Sequence, residues 1–267
     1  MIGGIIGDFI GSEFEHISLK TYNLLQLTSA KSSITDESVM LAATADALIN
    51  DKDFASCYMN WGHHFNWIEY GPTTEFWLEN KDLNYMHESY SNGAAGRAGV
   101  IGMLDCPLHQ LMEFAEESAR CSHNHDEAIN ATKAVVYCVW ACRKGKSKQE
   151  IYEYLLSEFA YLMFYDIEQL KNSLTFDTQA ENSVPPAIYL ALECSSWIDC
   201  IRLCLYCAGS ADTDTIMSIA GLIAQQRFPV CPKYENETKR WLFKNAQPIL
   251  QVCQEFETKR SLCKLPF

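Results

Sequence analysis

Ser33-Ile34-Thr35-Asp36-Glu37-Ser38, near the start of the chain, and Asp212-Thr213-Asp214-Thr215, far downstream, decide how the rest is read. Each places hydroxyls beside carboxylates and then runs into apolar residues at helical spacing. Val39, Met40, Ala43, Leu48 and Ile49 follow the first; Ile216, Ile219, Ala220, Ile223 and Ala224 follow the second. Steps of three and four are those of an amphipathic helix. Ser, Thr and Asp are preferred helix caps, and acids in the first turn suit the helix dipole, so capping alone explains either stretch taken singly. The surplus is what capping leaves over: a cap needs one side-chain oxygen, and each stretch carries at least three. Two such starts meeting in the fold would crowd carboxylates out of water, which only cations offset. All-oxygen ligands suit hard ions such as Mg²⁺, Mn²⁺ or Ca²⁺.

The helical pattern extends through the chain. Residues 111–121, 127–143, 148–162, 185–193 and 198–207 read as helices, and Ser183-Val184-Pro185-Pro186 reads as a helix start with the hydroxyl as cap. Ile2, Ile5, Ile6, Phe9 and Ile10 form an apolar stripe with Gly3, Gly7 and Gly11 four residues apart. Asp8, Glu13 and Glu15 interrupt too early for a membrane span, so the stripe predicts a buried helix on which another backbone lies closely. No G-x-G-x-x-G follows a strand, which removes the dinucleotide-fold reading. Few segments alternate as strands do. The expectation is an all-α, compact single-domain orthogonal helical bundle over residues 1–267, with no internal repeat.

The 267 residues are 48% hydrophobic, ample for a buried core, and the net charge of −13 argues against nucleic-acid or membrane-surface binding. Met1-Ile2-Gly3 has no basic start and no cleavage site behind it, so a cytoplasmic protein is expected. The 12 cysteines lie mostly within helical stretches and are expected to be free, buried thiols. Cys204 and Cys207, with Cys200 a turn earlier and His123-x-His125 elsewhere, leave open a zinc-stabilised interaction protein, although a second close ligand pair is missing. The small-residue loop Ser89-Tyr90-Ser91-Asn92-Gly93 reads either as a connection or as backbone amides offered to a phosphate, with Tyr90 beside a sugar or base.

Several of these segments, taken in order, resemble the ADP-ribosylglycohydrolase family, which includes the dinitrogenase-reductase-activating and ADP-ribosylarginine hydrolases. Gly7-Asp8-Phe9-Ile10-Gly11-Ser12-Glu13-Phe14-Glu15 is similar to its opening helix and acidic turn, and Thr35-Asp36-Glu37-Ser38 to its Thr-Asp-Asp-Thr motif. Ser91-Asn92-Gly93-Ala94-Ala95-Gly96-Arg97 is similar to its Gly-Asn-Gly-x-Ala-Met-Arg loop. Ser122-His123-Asn124-His125, Ser183-Val184-Pro185-Pro186-Ala187 and Asp212-Thr213-Asp214-Thr215-Ile216 complete the series, which spans residues 1–228. The resemblance implies a helical hydrolase with two Mg²⁺ or Mn²⁺ ions that removes ADP-ribose from a modified side chain, arginine first. It implies Thr35, Asp36, Glu37, Asp212, Asp214 and Thr215 as metal ligands and Glu15, with Asp36, as the catalytic acids. Ser89, Tyr90, Asn92, Gly93 and His123 fall on the substrate side. The implied partner is an ADP-ribosylated protein or small ADP-ribose conjugate, met by a monomer.

Three positions depart from the pattern. Glu37 stands for the usual second Asp, moving the carboxylate by one C–C bond, roughly 1.5 Å. Ser210-Ala211 stands for Gly-Gly, and Gly96 for Met. These bear on activity and substrate rather than on fold, and the Glu37 and Ser210-Ala211 changes favour the alternative of an ADP-ribose-binding module with little catalysis.

Overall fold

Helix α1 (Ile2–Gly11) is buried almost all round because its glycines let it lie on another helix, backbone to backbone. A Cβ at Gly11 would stand 2.6 Å from the Cα of Asp214, and one at Gly7 would overlap the carbonyl of Met217. The computed structural model describes residues 1–15, 17–81, 88–163 and 165–261. After α1 come α2 (Asp36–Asn50), α3 (Phe54–His64), α4 (Pro72–Asn80), α5 (Gly93–Ala98), α6 (Leu108–Arg120) and α7 (Asp126–Arg143). Then follow α8 (Lys148–Phe159), α9 (Ile167–Ser173), α10 (Ala180–Glu193), α11 (Trp197–Ala208), α12 (Thr213–Ala224), α13 (Pro232–Asn245) and α14 (Gln247–Lys259). A 3-10 turn, Gly99–Met103, follows α5. Among the described residues there is no strand, only isolated bridges pairing Glu88 with His123 and Ser91 with Gln179. The protein is all-α, as the periodicity predicts.

Helix α12 is the axis of the bundle. Every residue from Thr213 to Ala224 is buried, with α1, α10 and α11 packed around it. The amphipathic reading of this segment is therefore corrected: a helix surrounded on all sides has no solvent face to mark with polar residues. One continuous core joins Ile5, Ile6 and Ile10 to Ile219, Val135, Trp197 and Phe256. The last two helices belong to it: Trp241 meets Phe9 edge-on at 5.5 Å, and Ile249 is fully buried, whereas Phe243 faces solvent.

The start of α10 also differs from its sequence reading. It begins at Ala180 with Gln179 at the cap, so Pro185 and Pro186 sit inside the helix. Two prolines cost two backbone donors, leaving the carbonyls of Glu181 and Asn182 without helical partners. Ser183 is not a cap; its hydroxyl donates to Gln179 O at 2.8 Å. No helix among the described residues is long and apolar enough to cross a membrane. Eleven described cysteines are free, eight of them buried, and they bring no third ligand to Cys204 and Cys207 among the described residues.

Gly7→Ala is expected to destabilise the fold by about 3 kcal/mol, because both backbones at the contact are helical and cannot yield. Gly71→Ala, where a Cβ meets nothing within 4 Å, is the control and should stay within about 0.5 kcal/mol. Urea denaturation of both variants checks the contrast.

Candidate functional site

The site begins with Asp8, an acid in the middle of apolar α1 and fully buried. Its carboxylate reaches the first turn of α2. It accepts from Thr35 N at 3.0 Å, Thr35 Oγ1 at 2.7 Å, Ser38 N at 3.1 Å and the Ser38 hydroxyl. Thr35 also caps its own helix, accepting from Glu37 N at 3.3 Å. Two otherwise orphaned amides of α2 are thus satisfied from another helix, which fixes where Asp36 and Glu37 stand. Burial, reinforced by the charge of Asp214, pushes Asp8 up to about 7 against the pull of these donors. Sequence reading placed Asp8 only within the opening motif. Its signal was an ionisable residue that a buried helix cannot carry without partners.

Helix α12 delivers the other half. Asp212 sits at its cap without a side-chain cap bond, and instead accepts from Asn92 Nδ2 at 2.6 Å. The same amide donates to Ser183 Oγ at 2.9 Å. Thr215 Oγ1 donates to Glu37 Oε1 at 3.1 Å, joining the two helix starts directly. Glu15, on the turn after α1, offers a carboxylate oxygen within 4.8 Å of those of Asp212 and Asp214. Glu37 and Asp214 are each 5% exposed, yet Glu37 Oε2 and Asp214 Oδ1 have no hydrogen-bond donor among the described residues.

The electrostatics follow from crowding. Burial first, then Asp214 and Asp8, pushes Asp36 up to about 8. Glu37 is raised well above its ordinary value by burial and then by Asp36. Burial and Asp214 raise Asp212, while the Asn92 amide pulls the other way. Orphaned buried carboxylate oxygens in an all-oxygen donor set fit a hard divalent cation, the one partner that relieves desolvation and repulsion together.

Residues 89–93 adjoin this cluster through Asn92. Ser89 Oγ lies 3.0 Å from Ser91 Oγ, which lies 2.9 Å from His123 Nε2. His123 Nδ1 lies 2.8 Å from Ser122 Oγ, and that oxygen accepts from Arg97 Nη2 at 2.6 Å. Arginine only donates, so Ser122 Oγ accepts from Arg97, and the bonds from His123 to Ser122 and Ser91 run in the sense its tautomer sets. Sequence reading singled out Ser89 and His123 and placed Ser122 and Arg97 only within their motifs, with no role; they lie against the histidine, and nothing in their spacing gives the link. Tyr90 is 48% exposed, its ring 5.7 Å from that of His125. Gly93 opens α5 beneath His123.

Just before Asp212, Ser210 has φ of 119°, a conformation that suits glycine. Ser210→Gly is expected to add about 1 kcal/mol of stability by removing this strain, seen as a higher urea midpoint with unchanged slope.

Raised carboxylates bind protons more tightly folded than unfolded. In chelator their contribution to stability is complete below 3.8 and is lost as pH climbs through about 7 for Asp8 and about 8 for Asp36. The melting temperature in chelator should therefore fall over that interval. Added Mg²⁺, which takes the ionised cluster, should raise it more at about pH 8 than at about pH 5. Scanning calorimetry at both values, with and without chelator, is the check; an equal Mg²⁺ effect at both would count against the site.

The sequence profile of the ADP-ribosylglycohydrolase family matches residues 1–224. No curated protein matches the chain. A solved structure described as "ADP-ribosylglycohydrolase-related protein complex" is similar over 96% of each chain, at 16% identity and a TM-score of 0.67, a likeness of fold.

Proposed function

The chain belongs to the ADP-ribosylglycohydrolase family, and on that premise we propose that it is a metal-dependent hydrolase that removes ADP-ribose from a modified side chain, arginine first. The observation that carries the proposal is the pair of orphaned oxygens, Glu37 Oε2 and Asp214 Oδ1, buried where two acidic helix starts meet. Thr35, Asp36, Glu37, Asp212, Asp214 and Thr215 would hold two Mg²⁺ or Mn²⁺ ions. When bound, such ions supply Lewis acidity toward ribose hydroxyls and water. The residues 1–267 then act as one domain, a cytoplasmic monomer, on an ADP-ribosylated protein or small conjugate.

The chain's own residues divide the remaining work. The bond from the anomeric carbon to the protonated guanidino group breaks with its electron pair staying on nitrogen. The guanidino group thus leaves neutral and can take up the proton released by water, while the sugar passes through an oxocarbenium-like state to which that water adds. Glu15, beside Asp212 and Asp214, orients the water and accepts its proton. Asp36 lies within the field of Asp214, Asp8 and Glu15, and serves beside Glu15. Asn92 keeps Asp212 in place with one amide hydrogen bond rather than reaching outward. Ser89 and Gly93 line the side toward the diphosphate, with His123 behind them, and Tyr90 offers an exposed ring to a sugar or base.

A second reading, an ADP-ribose-binding module with little catalysis, is favoured by the strained Ser210 before Asp212 and by the longer ligand Glu37. Glu15→Gln separates the two. The hydrolase should lose turnover by about 10²–10⁴-fold on ADP-ribosylated arginine peptide, with ADP-ribose affinity hardly changed. No turnover in the parent chain, on arginine-, serine- or nucleic-acid-linked ADP-ribose, would leave the binding module.

A further inference from the structure

We propose that Gly96 is the positioning residue for Glu37: its missing side chain is the recess in which the longer carboxylate stands, so the two form a matched pair. The inference rests on the reading of Glu37 as a metal ligand. A Cβ at position 96 would overlap Glu37 Oε2 and lie 2.7 Å from its Cδ, and the three nearest atoms to it are all from the Glu37 carboxyl group. The Glu37 carboxyl group is the end of a flexible side chain, so it yields to a methyl group only by giving up its place beside Thr215 and the acidic cluster. Glu37 is held by Thr215 and by a helix start that Asp8 pins from α1. Helix α5, which carries Gly96, is anchored one residue on by Arg97. That guanidinium is buried, donates to Ser118 O and Ser122 Oγ at 2.6 Å each, and lies 3.8 Å above the Tyr58 ring. Tyr58 in turn shares a hydrogen bond of 3.0 Å with Thr44 of α2. The floor under Glu37 is therefore set by a residue on a different helix, fixed by contacts that do not involve the acids.

Because the three nearest atoms all belong to the Glu37 carboxyl group, a methyl group at position 96 is expected to harm the protein chiefly while Glu37 is present. The test is a double-mutant cycle on the full chain: Gly96→Ala, Glu37→Asp, Glu37→Ala and the two combinations. In chelator, Gly96→Ala should lower the melting temperature of the parent and leave it unchanged or higher in the Glu37→Ala background, where α5 simply gains a better helix former. In calorimetric titration with Mn²⁺, Gly96→Ala should weaken binding about 10–100-fold, as removal of an orienting contact does. Glu37→Asp should stay within about tenfold of the parent. Adding Gly96→Ala to Glu37→Asp should then change affinity by no more than about threefold, a rescue by the shorter acid. Equal effects of Gly96→Ala in every background would overturn the pairing. If the parent chain binds no Mn²⁺, the metal reading fails by itself, and the cycle in chelator still decides whether Gly96 and Glu37 are coupled.

Discussion

The contact of α1 with α12 at backbone distance is the constraint on which the site depends. Glycines at positions 7 and 11 remove the side chains that would hold two helices apart, and what lies opposite them is Met217 and the backbone of Asp214 itself. Asp8 is carried on the same helix, between those glycines. Close packing therefore brings a carboxylate of α1 to the start of α2 and within the field of Asp214. Ordinary ridge-and-groove packing places helix axes 8–10 Å apart with side chains between. At that spacing the two acidic helix starts would not share one centre.

Crowding carboxylates is unfavourable unless each has a partner, and the structure supplies partners unevenly. Asp8 is fully occupied by donors from α2 and is a structural clamp. Asp212 accepts from Asn92 and also meets Thr215 and Asp214 within the cluster. Glu37 has one oxygen bonded by Thr215 and the other orphaned, and Asp214 keeps an orphaned oxygen as well. This gradient from satisfied to unsatisfied separates the acids that build the site from those left for a ligand. A protein that used all of them for folding would have closed its hydrogen bonds, because an unpaired buried acceptor is destabilising by about 1–3 kcal/mol.

The 89–93 loop is organised by different means. From Arg97 through Ser122, His123 and Ser91 to Ser89 runs a chain of hydrogen bonds that begins at a group able only to donate. Arg97 works twice, holding Ser122 beside His123 and holding α5, with Gly96, against Glu37. The acid cluster and the 89–93 loop are thus parts of one assembly, joined at Asn92 and at α5. The strained Ser210 lies next to Asp212 at the entry to α12, where backbone strain is commonly stored at sites that bind or react.

The helical class, the buried glycine helix, the two acidic helix starts and the family were legible in the sequence, because each is written in local spacing: apolar steps of three and four, glycines every fourth residue, hydroxyls beside acids. Glu15, Asp36, Asp212 and Asp214 could be named from their motifs alone. Residue order says nothing about which surfaces meet, so the rest was decided by tertiary structure. That α12 is buried on every side, that α10 starts five residues before Pro185, and that Asp8 clamps α2 are consequences of packing between distant segments. So is the meeting of Glu37 with Gly96: read along the chain they are two separate departures from a motif, and only in the fold does the space left by one receive the extra length of the other.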